Sequence, residues 1–115
     1  MILTNSFGGS RIRLSKHGIP KQVKEVNMAG AKVARQAVES SHSNVSIAGS
    51  IGPLGELLHP YGILDYNEAR DVFTEQILSL VEGGIDVIWI ESMSYLNEVK
   101  AAIEGARSVT NLPIV

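Results

Sequence analysis

Three short polar segments, each following an apolar run, carry the residues that could do chemistry. They are Thr4-Asn5-Ser6-Phe7-Gly8-Gly9-Ser10, Gly49-Ser50-Ile51-Gly52-Pro53-Leu54-Gly55-Glu56 and Glu91-Ser92-Met93-Ser94. Glu91 is the sharpest of these residues. It directly follows Val87-Ile88-Trp89-Ile90, where a carboxylate is partly stripped of water unless it meets a cation or hydrogen-bond donors. A cationic ligand group would satisfy it. So would an ion pair with a neighbouring loop arginine, or capping of the next helix's N–H groups. The glycines from 49 to 55 permit close backbone approach and positive φ, so the peptide N–H groups around them could face a ligand carboxylate. A tight strand-to-loop turn explains them equally well. The segment lacks the Gly-Lys-Ser/Thr ending of a phosphate loop and the spacing of a dinucleotide fingerprint, which takes support from nucleotide binding. Asn5 and Ser6 could donate to a substrate, or could tie down the loop that Gly8-Gly9 loosens.

Other residues of interest have plainer readings. Phe7 reads as a core plug and Trp89 as packing in the barrel or helix layer. Arg11, Arg13, Lys16 and His17 form a basic cluster of the kind that usually marks a solvated helix face. His59 lies in a loop long enough to reach over a rim, but a single loop histidine is more often surface than catalytic. The chain has no cysteine and only three histidines, His17, His42 and His59, without metal-cluster spacing. Disulfides and thiolate metal sites are thereby excluded within it, and no metal ligand is assigned. The sequon Asn44-Val45-Ser46 is a chance match outside a secretory context.

These segments need elements to hold them. Residues 1–4, 44–48 and 85–90 are short, apolar and β-branched, as buried parallel strands covered on both faces should be. A fourth candidate, 112–115, carries Pro113 near its start, where a missing N–H is tolerated, and the chain reads as stopping within it. Three amphipathic patterns lie between: Val23, Val26, Gly30, Val33, Ala34 and Ala37; Ala69, Val72, Phe73, Ile77, Leu80 and Val81; Leu96, Val99, Ala102, Ile103 and Ala106. Their spacing predicts helices with one apolar face each. Asp65 with Glu68 resembles a capping box, Gly83-Gly84 suits a left-handed helix end, and Pro20 fits a first turn.

The order is βαβαβαβ, and equivalent positions at 5, 49 and 91 lie 44 and 42 residues apart. Right-handed crossovers then leave a closed eight-fold barrel or an open doubly wound sheet. In either, ligands bind at the carboxyl ends of the strands, where all three polar segments fall. A complete barrel runs to about 250 residues, so four strands would be half of one with two raw edges. We expect such a half to aggregate or to assemble with copies of itself as a homo-oligomer.

Composition sets outer bounds. The 115 residues are 44% hydrophobic, enough for one core, and the net charge of -2 comes from both signs scattered along the chain. With no Lys/Arg run, nucleic acid and membrane surfaces are not expected partners. No apolar run approaches the roughly 20 residues of a bilayer helix, and no signal peptide opens the chain, so a cytoplasmic location is expected.

The segments 4–11, 48–56 and 89–94, in that order, resemble successive strand-end motifs of the homocysteine S-methyltransferases, and the resemblance extends to Glu98-Val99-Lys100-Ala101-Ala102. It implies an α/β fold of the (β/α)8 TIM-barrel type. Residues 1–115 would be a single partial barrel domain, covering about strands 2 to 5 and truncated at both ends. It also implies a substrate pocket lined by Asn5, Ser6, Phe7, Gly49, Ser50 and Gly52, with Glu91 toward the homocysteine amino group, and no catalytic residue within the chain. In that family zinc held by three cysteines on later strands binds the homocysteine thiolate, lowering the thiol pKa. The methyl group comes from betaine, S-methylmethionine or, through cobalamin, methyltetrahydrofolate. The wording of 89–94 favours betaine. The competing expectation from another class is a non-catalytic truncated barrel acting through a partner chain. An unrelated barrel enzyme for a small amino acid or sugar phosphate is a third.

Overall fold

The structure, a computed structural model, describes residues 1–42 and 44–115. Its elements are β1 (Ile2–Leu3), α1 (Arg11–Ser15), a 3-10 turn (Pro20–Gln22), α2 (Val23–Ser40), β2 (Ile47–Ile51), α3 (Tyr66–Gly83), β3 (Val87–Ile90) and α4 (Leu96–Val109). The strands form a parallel sheet ordered β1-β2-β3, with Ile2 opposite Ile47 and Ser50 opposite Trp89. The 112–115 run extends this ladder. Ile88 and Ile90 donate to Pro113 O and Val115 O at 2.9 and 2.8 Å, and Val115 donates back to Ile88 O at 2.9 Å. It pairs as a bridge between Ile88 and Ile114 rather than as a full strand, since Pro113 has no N–H to give. The α/β class and the parallel order are thus observed; closure into a barrel is not part of this sheet.

The expected three helices are present, and their ends follow from local chemistry. Asp65 caps α3 by accepting from Asn67 N and Glu68 N at 2.8 and 3.4 Å, and Gly84 ends it at φ 97°, where a side chain would be strained. Pro20 starts the 3-10 turn that leads into α2, one turn before the helix proper. A short helix that the apolar periodicity did not show, α1, is capped by Ser10, whose hydroxyl accepts from Arg13 N.

Two expectations about the strands need correction. β2 begins at Ile47, three residues later than expected, because its pairing partner β1 starts at Ile2 and the Ile47 N–H is taken by Asp86 Oδ2 at 2.8 Å. Gly49 and Ser50 therefore lie inside the strand and not in the loop after it. Full cover on both faces holds only for the central strand: β2 is buried at every position, while the flanking strands β1 and β3 are partly open. Ile88 is fully buried, while Val87 and Trp89 on the opposite face are half-buried and Leu3 in β1 is 49% exposed. The better-covered face is the one that meets the helices: a side chain added at Gly49 would sit 2.7 Å from Ile85 and 3.2 Å from Leu80 of α3. Ile47, Ile51, Val72, Phe73, Ile77 and Leu80 make the core there, each fully buried, and each such side chain contributes about 1.5–3 kcal/mol.

The amino ends of the strands are fastened by charge. Arg35 on α2 donates to Asp86 Oδ1 at 2.7 Å and to Gly84 O, while Asp86 holds Ile47 N with its other oxygen. Burial alone would raise the Asp86 carboxyl, but the Ile47 N–H and the Arg35 guanidinium prevail and hold it below its usual range.

Candidate functional site

At the carboxyl ends of the strands the sheet presents Thr4, Ser6, Ser50 and Glu91 to one another. Ser50 shares a face with Trp89, the side away from the helices, and its hydroxyl donates to Glu91 Oε1 at 2.6 Å. Among the described residues, Glu91 has no salt-bridge partner, and the N-cap of α4, Tyr95, makes no side-chain cap. Neither of the structural roles open to Glu91, an arginine pair or a helix cap, is therefore present among them. The residue after it, Ser92, sits at φ 59°, a conformation uncommon outside glycine, and it turns the chain sharply away from the strand end.

The Thr4 and Ser6 hydroxyls form a closed ring with the backbone of Ser50, in which each proton is assigned. Ser6 Oγ donates to Ser50 O at 2.7 Å, so in its 2.6 Å contact with Thr4 Oγ1 it must accept. Thr4 Oγ1 in turn accepts from Ser50 N at 3.1 Å. Ser6 is 2% exposed and has no proton left for a ligand. The ring locks the end of β1 to β2.

The peptide N–H groups that the sequence offered to a ligand carboxylate are largely taken. Ser50 N binds Thr4, Gly52 N donates to Phe7 O at 3.2 Å, and Leu54 N donates to Glu98 Oε1 at 2.8 Å. The rim around Ser50 and Glu91 thus presents acceptors more than donors.

Phe7 and Gly52 are brought together, but with each other. A side chain at Gly52 would stand 2.6 Å from the Phe7 ring, so glycine is required for that approach. The ring also takes the Arg13 guanidinium 5.8 Å from its centroid. Phe7 is 38% exposed, a lid on the loop rather than the buried plug expected. Asn5 stands apart from Glu91: it lines a cavity of about 340 Å³ with Val26, Gly30 and Val33 of α2. Gly49 faces the helix layer. Of the seven expected residues, the sheet joins Ser6, Ser50 and Glu91 in one hydrogen-bonded set, joins Phe7 to Gly52, and sets Asn5 and Gly49 elsewhere.

Four further polar residues support the rim. Asn27 donates to Gly9 O and Val23 O, and Gln76 donates to Ser6 O at 2.7 Å and to Asn27 Oδ1 at 3.3 Å, all beneath the Ser6–Gly9 loop. Both are fully buried, and among the described residues Gln76 Oε1 has no partner. Glu98 and Arg13 hold the loop after β2, Arg13 Nε donating to Pro53 O at 3.0 Å. A signal existed for two of them: Asn27 and Gln76 occupy positions on the apolar faces of their helices, where a polar residue needs a reason. Of the basic cluster expected on a solvated face, Arg11, Lys16 and His17 are exposed, Arg11 and Lys16 making surface ion pairs with Glu75 and Glu56, while Arg13 is partly buried on Pro53 O.

A cavity of about 280 Å³ opens beside this rim between residues 53–57 and 94–98, and Glu91 is not in its wall. Among the described residues there is no group of three or more His, Cys, Asp or Glu that could hold a metal ion. The groups gathered at the rim are hydroxyls and one carboxylate, a set that does not fit zinc, which takes three or four His, Cys or carboxylate ligands together. No helix among them is long and apolar enough to cross a membrane.

Comparison with known proteins gives a consistent answer. The homocysteine S-methyltransferase family model matches residues 1–115. Methionine synthase of Mycobacterium leprae (strain TN) is 30% identical over 111 residues, covering 93% of this chain. Methionine synthase of Mycobacterium tuberculosis (strain ATCC 25618 / H37Rv) is 32% identical over 107 residues, covering 90%. The chain spans 9% of the length of each of these relatives.

Proposed function

The chain belongs to the homocysteine S-methyltransferase family, and from that premise we propose that its rim binds the amino-acid end of homocysteine for methyl transfer to sulfur, giving methionine. The observation that carries this reading is Glu91, oriented by the Ser50 hydroxyl at 2.6 Å and paired with no cation among the described residues. A carboxylate with one oxygen held and the other open is suited to a substrate ammonium. The taken N–H groups around it point the same way, since a rim rich in acceptors favours a donor such as –NH3+ over an anion. In this reading Ser50 orients Glu91. Ser6, Phe7 and Gly52 shape the backbone beneath it, and Asn5 and Gly49 contribute through the fold.

The methyl step itself lies outside what these residues supply. When bound, zinc in this family activates the homocysteine thiol, and its ligands would come from other parts of a complete enzyme. We further propose that this chain is the equivalent of about half a (β/α)8 barrel. The donor is the finest part of the reading, with betaine favoured only by the likeness of residues 89–94 to the betaine-type enzymes of the family. Among the described residues the aromatic pair Tyr61 and Tyr95 packs edge to face at 5.6 Å, which offers no cage for a quaternary ammonium.

The test is homocysteine-dependent methyl transfer by the longest polypeptide containing these residues, with betaine, S-methylmethionine and methyltetrahydrofolate supplied separately. Turnover with one donor, and a homocysteine KM raised about 10- to 100-fold by Glu91→Gln, is expected. Turnover that Glu91→Gln leaves untouched would remove Glu91 from the site, and no turnover with any donor would leave ancestry without activity.

A further inference from the structure

The loop after β2 is gripped at three consecutive backbone positions by charged side chains from two helices. Glu98 of α4 accepts the Leu54 N–H at 2.8 Å, Arg13 of α1 donates to Pro53 O at 3.0 Å, and Lys16, just past α1, donates to Gly55 O at 3.4 Å. Glu98 is 6% exposed. Burial pushes its carboxyl above the usual range, against the Leu54 N–H and the Arg13 charge, which act to lower it. Among the described residues it forms no ion pair within salt-bridge distance. A carboxylate kept under those conditions at the third position of α4, where the helix dipole favours it, is an expensive way to hold one peptide N–H unless the position of that peptide matters.

We infer that Glu98 is a positioning residue: with Arg13 opposite it, it sets the path of residues 53–55 and so the seat of Gly52 and Ser50, which orients Glu91. The chain of contacts is continuous. Leu54 lies two residues from Gly52, whose N–H is bound by Phe7 O, and Phe7 carries Arg13 over its ring. Glu98 touches no substrate; it acts through the loop. This inference rests on the homocysteine site proposed above for its functional consequence, and on the three hydrogen bonds for its structural one.

Hydrogen exchange and kinetics on the longest polypeptide that contains these residues separate the two. Glu98→Ala removes the acceptor, Glu98→Gln keeps a carbonyl oxygen for Leu54, and Val38→Ala removes core volume at the far end of α2 as a stability control. We expect a peptide spanning 50–57 to exchange about tenfold faster or more in Glu98→Ala, near the unvaried rate in Glu98→Gln, and unchanged in Val38→Ala. The homocysteine KM should rise about fivefold or more in Glu98→Ala with kcat moved less, and recover in Glu98→Gln. Equal effects of Glu98→Ala and Val38→Ala, or a faster loop with unaltered KM, would overturn the inference. If Glu98→Ala does not fold, Arg13→Ala cuts the same loop from the other side and carries the same two readouts. If the unvaried protein takes up no homocysteine, the functional reading falls while the exchange comparison still decides the clamp.

Discussion

The two ends of the sheet treat a carboxylate in opposite ways. At the amino end Asp86 is closed: one oxygen on Arg35 at 2.7 Å, the other on Ile47 N at 2.8 Å. At the carboxyl end Glu91 meets one serine hydroxyl and, among the described residues, no cation. Both adjoin apolar strand residues, and both would be costly if left bare. The amino end uses its charge up in holding the strands together. The carboxyl end keeps its charge available, which is the division of labour expected of a parallel α/β sheet whose chemistry sits at one end.

Variants that exchange the two behaviours test this contrast. The largest effect should come from Glu91→Ala, with homocysteine affinity down about 100-fold and the urea midpoint nearly unmoved; a collapse in stability equal to that of Asp86→Ala would erase the distinction. Asp86→Ala should do the reverse. It orphans the Ile47 N–H and leaves Arg35 with Gly84 O but no counter-charge, at a partly exposed pair, so unfolding free energy should fall by about 1–2 kcal/mol while KM holds. Next in size is Ser50→Ala, which frees Glu91 to rotate and should raise KM about fivefold, the scale of one hydrogen bond.

The smallest effects are in pH, and their signs differ. Asp86 is lowered from 3.8 in the folded state, so its contribution is present above that value and is lost as pH falls below it, through the folded pKa. Glu98 is raised from 4.5. Its ionised form therefore costs the folded state stability, and that cost is relieved as pH falls toward 4.5 and below. Urea midpoints between pH 3 and 7 should lose the first dependence in Asp86→Asn and the second in Glu98→Gln.

Much of the fold was legible in the sequence because the signals were local. The helix faces, the Asp65 cap, the Gly84 turn and the position of Glu91 after four apolar residues all depend on neighbours a few residues away. The boundary of β2 did not, because Asn44 to Ser46 look as strand-like as Ile47 and Ala48, and only pairing with Ile2 decides where the ladder starts. The support beneath the rim was hidden for the same reason. Gln76 reaches Ser6 across 70 residues, and Glu98 reaches Leu54 across 44, distances at which no periodicity speaks. Ser6 stands out by its place just past β1, but its proton goes to Ser50 O, which only the fold could reveal.

The ring of Thr4, Ser6 and Ser50 has a consequence for how these positions can vary. Replacing Ser6 alone strands the Thr4 proton and bares Ser50 O; replacing Thr4 alone strands the Ser50 N–H. The bond between the two hydroxyls is lost in either single variant, so it is counted twice when their costs are added. The double variant Thr4→Val with Ser6→Ala should therefore cost clearly less than its two single variants added together. β1 and β2 are joined at their rim by residues that change as a unit or hardly at all.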